Sequence, residues 1–366
     1  MLEVHRQAPL PHPFSVTHEG YVAACAGGSG REALEASARY TRLFREGHAA
    51  FPWHLPSPDH VQRSDSPEGE VLKFLLEVPG RSEGEAPLQT ESVIIPMKRR
   101  HETTLTLCVS SQVGCAMGCA FCETAQMGLM RSLDPSEIVA QWFAARHALG
   151  RPIRNIVFMG MGEPLDNLDN VLRAIAVLTD HRGPGIGMSR ITVSTVGRLD
   201  GLAALREAVT RPGWRQLNLA VSINAPNDEV RSMIMPINRA MPLGPLIEML
   251  RDWPRRKSGA ICMEYVLIPG VNDLPGHAEE LAARLAGVRC CVNVIPYNPR
   301  RSSPWRAPTE DEVAAFLARL EAAGQFCKRR RTKGRETMAA CGQLGNEHIR
   351  KRRFVGLSVD GGSAGA

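Results

Sequence analysis

The chain has 366 residues, 43% of them apolar, and a formal net charge of +6. That is enough apolar material for one large domain, or one domain with a small appendage, and it argues against a disordered chain. No run approaches the roughly 20 apolar residues of a membrane span, and the opening MLEVHRQAPLPHPF lacks the apolar stretch of a signal peptide, so a cytoplasmic location with no membrane attachment is expected.

Residues 1–89 are expected to form a small, partly helical N-terminal appendage. GREALEASARYTRLFREGHAAF (30–51) reads as a helix, whereas PSPDHVQRSDSPEGE (56–70) and PGRSEGEAP (79–87) are polar and turn-rich. From residue 104 onward, β-branched or apolar runs alternate with amphipathic segments. Strands are predicted over 104–109, 154–159, 190–195, 217–222, 261–268 and 291–296. Helices fall near 135–150, 167–179, 199–209, 243–253, 275–286 and 310–324. Asp134 with Pro135 and Glu137, and Thr309 with Glu312, mark two of their starts as capping boxes.

Strand followed by helix, six times over, implies parallel strands joined by right-handed crossovers. An open doubly wound sheet and a partial (βα)6 barrel both satisfy that α/β pattern. In either, chemistry gathers at the C-terminal ends of the strands. This core is expected over 90–345, followed by a basic, flexible tail over 346–366.

The positive excess is uneven. MKRRH (97–101), CKRRRTKGR (327–335) and HIRKRRF (348–354) concentrate it, which suits a polyanion such as RNA. Neutralising Arg329, Arg330 and Arg331 is therefore expected to weaken RNA binding.

Ten cysteines in a chain read as intracellular point to reduced thiols in metal or catalytic use, not to a disulfide framework. Cys25, Cys262, Cys290, Cys291 and Cys327 lie in apolar or mixed stretches and read as packing residues. VGCAMGCAFCETAQMG (113–128) is different: it sets Cys115, Cys119 and Cys122 within eight residues, just after the first predicted strand. Zinc or an iron–sulfur cluster could use such a triplet. Structural zinc usually takes four ligands from paired C-x-x-C units. A cubane cluster also normally takes four cysteines, so three would leave one iron open to an exogenous ligand.

The C-x-x-x-C-x-x-C spacing in this position, with Phe121 before the third cysteine, resembles the signature of radical S-adenosylmethionine enzymes. LCVSSQVGCAMGCAFCETAQMG, VFMGMGEPLDNLDNV, ITVSTVG, NLAVSINAPNDEVRSMIMPINR, VLIPGVND, NVIPYNP and RRTKGRETMAACGQL, spread over about residues 90–345, resemble in order the RlmN and Cfr family of RNA adenine methyltransferases. The resemblance implies a radical S-adenosylmethionine core built as a partial (βα)6 barrel. It implies a [4Fe–4S] cluster on Cys115, Cys119 and Cys122, and two S-adenosylmethionine molecules per turnover. In the family one methylates a cysteine, and the other is cleaved to a 5′-deoxyadenosyl radical that activates the attached methyl group.

By the same resemblance, Cys341 in AACGQL is the methyl-carrying cysteine. Cys108 is the partner thiol that resolves the RNA adduct by a disulfide with Cys341, and Glu91 in TESVIIP is the proton acceptor. Gly162 and Glu163 in GMGEP, Ser194, Ser222, Ile223, Asn224 and Asn298 are implied contacts to S-adenosylmethionine. Asn224 stands where family members usually carry histidine, and residues 1–89 show no match to the family's helical accessory domain. The implied partners are ribosomal RNA, transfer RNA or both, and an electron donor such as flavodoxin or ferredoxin, with the enzyme acting as a monomer. Carbon 2 of adenine is favoured over carbon 8. Two other readings stand beside this one: a related enzyme with a different acceptor, and a zinc-stabilised RNA-binding protein without catalysis.

Overall fold

The computed structural model describes residues 10–26, 29–48, 55–99, 102–334 and 337–345. The expected tail 346–366 lies outside them, as do the run 348–354 and the ends of the other two basic runs. In chain order the elements begin with α1 (His18–Cys25), α2 (Gly30–Glu46), β1 (Asp59–Ser66), β2 (Gly69–Val78), β3 (Leu88–Arg99) and β4 (Glu102–Cys108). The cysteine region adds β5 (Gln112–Val113), α3 (Glu123–Met127) and β6 (Arg131–Ser132). There follow α4 (Pro135–Phe143), β7 (Ile153–Phe158), α5 (Leu168–Thr179), β8 (Ile191–Thr195), α6 (Leu199–Ala208) and β9 (Asn218–Ser222). The last group is α7 (Asp228–Ile234), α8 (Leu243–Arg251), β10 (Ile261–Leu267), α9 (His277–Arg284), β11 (Cys290–Pro296), α10 (Glu310–Ala322) and β12 (Cys327–Arg329).

Ten strands make one sheet, ordered β1-β2-β3-β4-β7-β8-β9-β10-β11-β12. β1 to β4 pair antiparallel, and every pair from β4 onward is parallel. The parallel strands follow one another in sequence order. Right-handed crossovers that always step in one direction lay their helices on one face of the sheet. A doubly wound sheet needs a reversal of strand order, and none occurs here. The topology therefore selects the partial barrel, with β12 as a seventh parallel strand beyond the six predicted.

The local chemistry explains the regular elements. In α4 the Asp134 amide donates to Glu137 Oε2 at 2.8 Å, and in α10 the Glu312 amide donates to Thr309 Oγ1 at 3.2 Å, closing both predicted capping boxes. α7, which the sequence reading did not anticipate, starts from Asn227 Oδ1, which accepts from the Val230 amide at 2.9 Å. Ile156, Ile191, Val193 and Val221 are fully buried in neighbouring strands. Each such side chain contributes roughly 1.5–3 kcal/mol.

The N-terminal segment differs from expectation in one respect. Residues 56–70, read as turn-rich, supply β1 and the start of β2, which extend the same sheet. β1 is mostly exposed, so its polar sequence gives no apolar alternation; β2 pairs with it and carries the buried Val71, Leu72 and Phe74. The helix α2 forms as predicted, and its Phe44 ring packs against Phe14 and Trp142, docking the N-terminal helices on α4. No helix among the described residues is long and apolar enough to cross a membrane.

Candidate active site

The cysteine triplet sits on the loop after β4, where β5 pairs with β6 to close the loop's base. The Cys115 amide donates to Gly128 O at 3.1 Å. Gly114, at φ +75°, makes that approach possible: a Cβ there would lie 1.8 Å from Gly128 O. Cys115 and Cys119 are buried and Cys122, at the N-cap of α3, is half-buried. A separate apolar cluster of Met117, Phe121, Ile234, Met235, Ile268 and Tyr297 surrounds the triplet. Burial raises all three thiols above their ordinary range.

One pocket at the C-terminal ends of the parallel strands collects most of the expected residues. Cys115, Cys119, Cys122, Gly162, Glu163, Ser194, Ser222, Asn224, Asn298 and Cys341 all line it. Ile223, Cys108 and Glu91 do not. Ile223 is fully buried, and its backbone is engaged within the protein, the amide donating to Glu264 O at 3.0 Å and the carbonyl accepting from Arg231.

Glu163 follows β7. Its Oε2 accepts from the Val196 amide at 2.9 Å and its Oε1 from the Leu165 amide at 3.1 Å, while its own amide donates to Gln112 Oε1. Burial pushes its pKa up to about 7 in spite of those hydrogen bonds. Gly162 stands at φ +101°, and a Cβ there would come within 2.6 Å of Gln112 Cβ. The glycine thus lets the backbone turn tightly beneath the pocket.

Asn224 also adopts a left-handed conformation, φ +54°, which asparagine tolerates better than most residues. Its Oδ1 accepts from the Val266 amide at 2.8 Å and its Nδ2 faces Met235 Sδ at 3.3 Å. The side chain is therefore occupied in joining the ends of β9 and β10, which limits what it can offer a ligand.

Cys341 arrives on the segment 337–345. The Glu123 amide donates to Gly342 O at 2.7 Å, and Thr124 Oγ1 donates to Leu344 O at 2.6 Å, so this segment is tied directly to α3. Cys108, at the end of β4, is buried within electrostatic reach of Cys341, and both are free thiols. Burial first, then the neighbouring Cys341, pushes the Cys108 thiol up to about 12. Glu91 lies on β3 with Oε2 2.7 Å from Lys73 Nζ, and its Oε1 accepts from the Gly345 amide at 3.2 Å. It anchors the Cys341 segment to the sheet.

The sequence reading missed two charged groups at the site, Arg231 and Glu264, and assigned a third, Arg330, to the RNA surface. Arg231 is fully buried and donates to the carbonyls of Val196, Ser222 and Ile223 and to Asn238 Oδ1, holding the ends of β8 and β9 together. Burial lowers its pKa to about 10. Glu264 lines the pocket from β10, accepting from Asn293 Nδ2 at 2.9 Å and Cys262 Sγ at 3.1 Å. Arg330 enters the same pocket 3.5 Å from Glu264 Oε2. The conjunction of β10, β11 and β12 brings these two together, and no local motif announces it.

The run 327–335 was expected to meet RNA with its positive charge; residue 335 lies outside the described residues. In the fold Arg329 pairs with Glu310, Arg330 with Glu264, and both Arg331 and Lys333 with Glu68. Those carboxylates come from distant parts of the chain and offset most of the charge that the sequence displays. RNA would therefore meet Arg329, Arg330 and Arg331 already paired with carboxylates, with Arg331 still 73% exposed.

The donor set fits an iron–sulfur cluster. Three thiols share one pocket with polar groups on neighbouring strand ends and an apolar surround that limits water.

The chain is similar over most of its length to known proteins. The model of the radical SAM superfamily matches residues 109–285. A probable dual-specificity RNA methyltransferase RlmN 1 of Protochlamydia amoebophila is 44% identical over 290 residues, which cover 79% of this chain and 77% of that protein. A probable dual-specificity RNA methyltransferase RlmN of Akkermansia muciniphila is 43% identical over 298 residues, covering 80% and 79%. The crystal structure of a radical SAM methyltransferase from Sphaerobacter thermophilus superposes with a TM-score of 0.78 at 34% identity, covering 90% of this chain and 98% of that one.

Proposed function

Because the chain belongs to the RlmN family of radical S-adenosylmethionine methyltransferases, we propose that it methylates a ring carbon of adenine in ribosomal RNA, transfer RNA or both, with carbon 2 favoured over carbon 8. One observation carries this reading: the cysteine triplet, Glu163 and Cys341, far apart in sequence, line a single pocket.

Adenine ring carbons are poor nucleophiles, so simple polar transfer from a sulfonium fails. A [4Fe–4S] cluster with S-adenosylmethionine supplies one-electron chemistry strong enough to break an unactivated C–H bond. Cys115, Cys119 and Cys122 would hold the cluster as thiolates, releasing protons as metal binds. Glu163 would accept hydrogen bonds from the amino group of S-adenosylmethionine, and Ser194, Ser222 and Asn298 offer polar atoms at neighbouring strand ends.

In this reading Cys341 carries the methyl group and Cys108 is the partner thiol that later releases the RNA. Their proximity supports the pairing, and Arg330 is the cation beside them. Glu91 is given the role of proton acceptor, supported by its hydrogen bond to the segment that bears Cys341. To act, it would exchange the Gly345 amide for the substrate.

Mass spectrometry of the protein purified from cells tests the carrier role directly. One added methyl on the peptide containing Cys341 is expected, and it should be absent from a Cys115→Ala variant, which cannot assemble the cluster. An unmodified Cys341 in active wild-type protein would refute the assignment. Nucleosides from digested RNA of deletion and wild-type cells then identify the acceptor carbon.

A further inference from the structure

A second charged surface lies at the opposite end of the barrel. Arg215, Arg255, Arg256, Lys257 and Arg289 line a pocket with Trp253 and Pro254, just before the N-terminal ends of β9, β10 and β11. No carboxylate lines this pocket, and none of the five cations has a carboxylate partner among the described residues. Arg255 donates to Trp253 O at 3.2 Å, which fixes the turn; Arg215, Arg256, Lys257 and Arg289 are exposed. The contrast with the fully paired run 329–333 is direct. Like charges gathered without counter-charges repel one another and cost stability, so an anionic occupant would relieve them.

The rim continues along the sheet. Phe326, 61% exposed, directly precedes β12, the strand next to β11, which follows Arg289, and Lys328 Nζ lies 5.3 Å from its ring. The end of the barrel thus offers arginine forks for phosphate and one exposed aromatic ring on which a base could stack. A protein interface would instead need an apolar centre. Trp253, the large apolar residue of the pocket, is only 3% exposed.

We propose that this end of the barrel is a second RNA-binding surface that holds the phosphate backbone of a structured RNA away from the reacting base. The inference rests on the proposed RNA substrate and extends it. β9, β10 and β11 have 5, 7 and 7 residues, so at roughly 3.3 Å per residue the two ends lie about 17–23 Å apart. Only an RNA large enough to span that distance engages both. The surface therefore selects by size and shape, and the catalytic pocket selects the base.

The test uses cluster-loaded protein and the triple variant Arg256→Glu/Lys257→Glu/Arg289→Glu, with two probes: unfractionated transfer RNA and a 17-nucleotide RNA hairpin. The variant should bind transfer RNA at least tenfold more weakly at 0.15 M salt. Its log–log salt dependence should be shallower by about 2–3, the loss of roughly three phosphate contacts. Hairpin binding, iron content and S-adenosylmethionine binding should stay within twofold of wild type. Equal binding of transfer RNA by both proteins would overturn the assignment and leave the surface to an acidic protein. Equal losses on both probes would also overturn it, by removing the size selection. If wild-type protein binds neither RNA, the RNA reading itself fails, a result distinguishable from the other two.

Discussion

Replacing Glu163 by glutamine should stabilise the ligand-free protein at neutral pH while removing its grip on S-adenosylmethionine. Burial shifts this carboxyl from 4.5 to about 7. Below pH 4.5 both folded and unfolded states hold the proton, and the group contributes nothing. Between 4.5 and 7 the unfolded chain ionises while the folded one keeps its proton, so wild-type stability falls as pH rises; above 7 the full penalty of roughly 3 kcal/mol is present. Glutamine does not titrate. It also cannot accept from both the Val196 and Leu165 amides as the carboxylate does, a loss of about 1–2 kcal/mol that is the same at every pH. The diagnostic quantity is therefore the slope. Urea unfolding of reduced, cluster-free wild type and Glu163→Gln should show their stability difference moving by about 2.5 kcal/mol in the variant's favour between pH 5 and pH 8. A difference that stays flat across that range would refute the argument from burial. Calorimetry on cluster-loaded protein should find S-adenosylmethionine binding lost in the same variant.

Lys73→Ala would leave Glu91 buried without its cation, a loss of about 3–5 kcal/mol readable as a drop in thermal midpoint. Because Glu91 also holds the Gly345 amide, alkylation of Cys341 by iodoacetamide should accelerate in that variant, and an unchanged rate would separate Glu91 from the Cys341 segment. Arg231→Leu would orphan the carbonyls of Val196, Ser222 and Ile223. A destabilisation of roughly 3 kcal/mol or more in urea unfolding is expected, and a change below about 1 kcal/mol would show that water replaces the guanidinium.

The parallel core was legible because its strands are buried, apolar and each followed by a helix with its own start signal. The cysteine triplet was legible because all its information is local. What escaped was structure made by pairing. β1 is polar and exposed, and it is a strand because β2 supplies its ladder. β12 has three residues, two of them exposed Lys328 and Arg329, and β11 makes it a strand. Charge shows the same limit. A sequence displays the cations of 329–333 but not Glu68, Glu264 and Glu310, which fold back to meet them. Of the five unpaired cations at the other end of the barrel, Arg255, Arg256 and Lys257 make a short run, and only the fold brings Arg215 and Arg289 to join them.

The anchoring of the Cys341 segment to α3, to Glu91 and, through Arg331 and Lys333, to Glu68 has a consequence for biosynthesis. The cysteine triplet leaves the ribosome about 220 residues before Cys341, on the order of 10–40 s earlier at ordinary elongation rates. A nascent chain can thus receive iron and sulfide while the proposed methyl carrier is still untranslated. Such a precursor would hold the hazardous half of the chemistry without the residue that gives it a productive outlet, and the late docking of the C-terminal segment onto the N-terminal hairpin is the step that ends that interval.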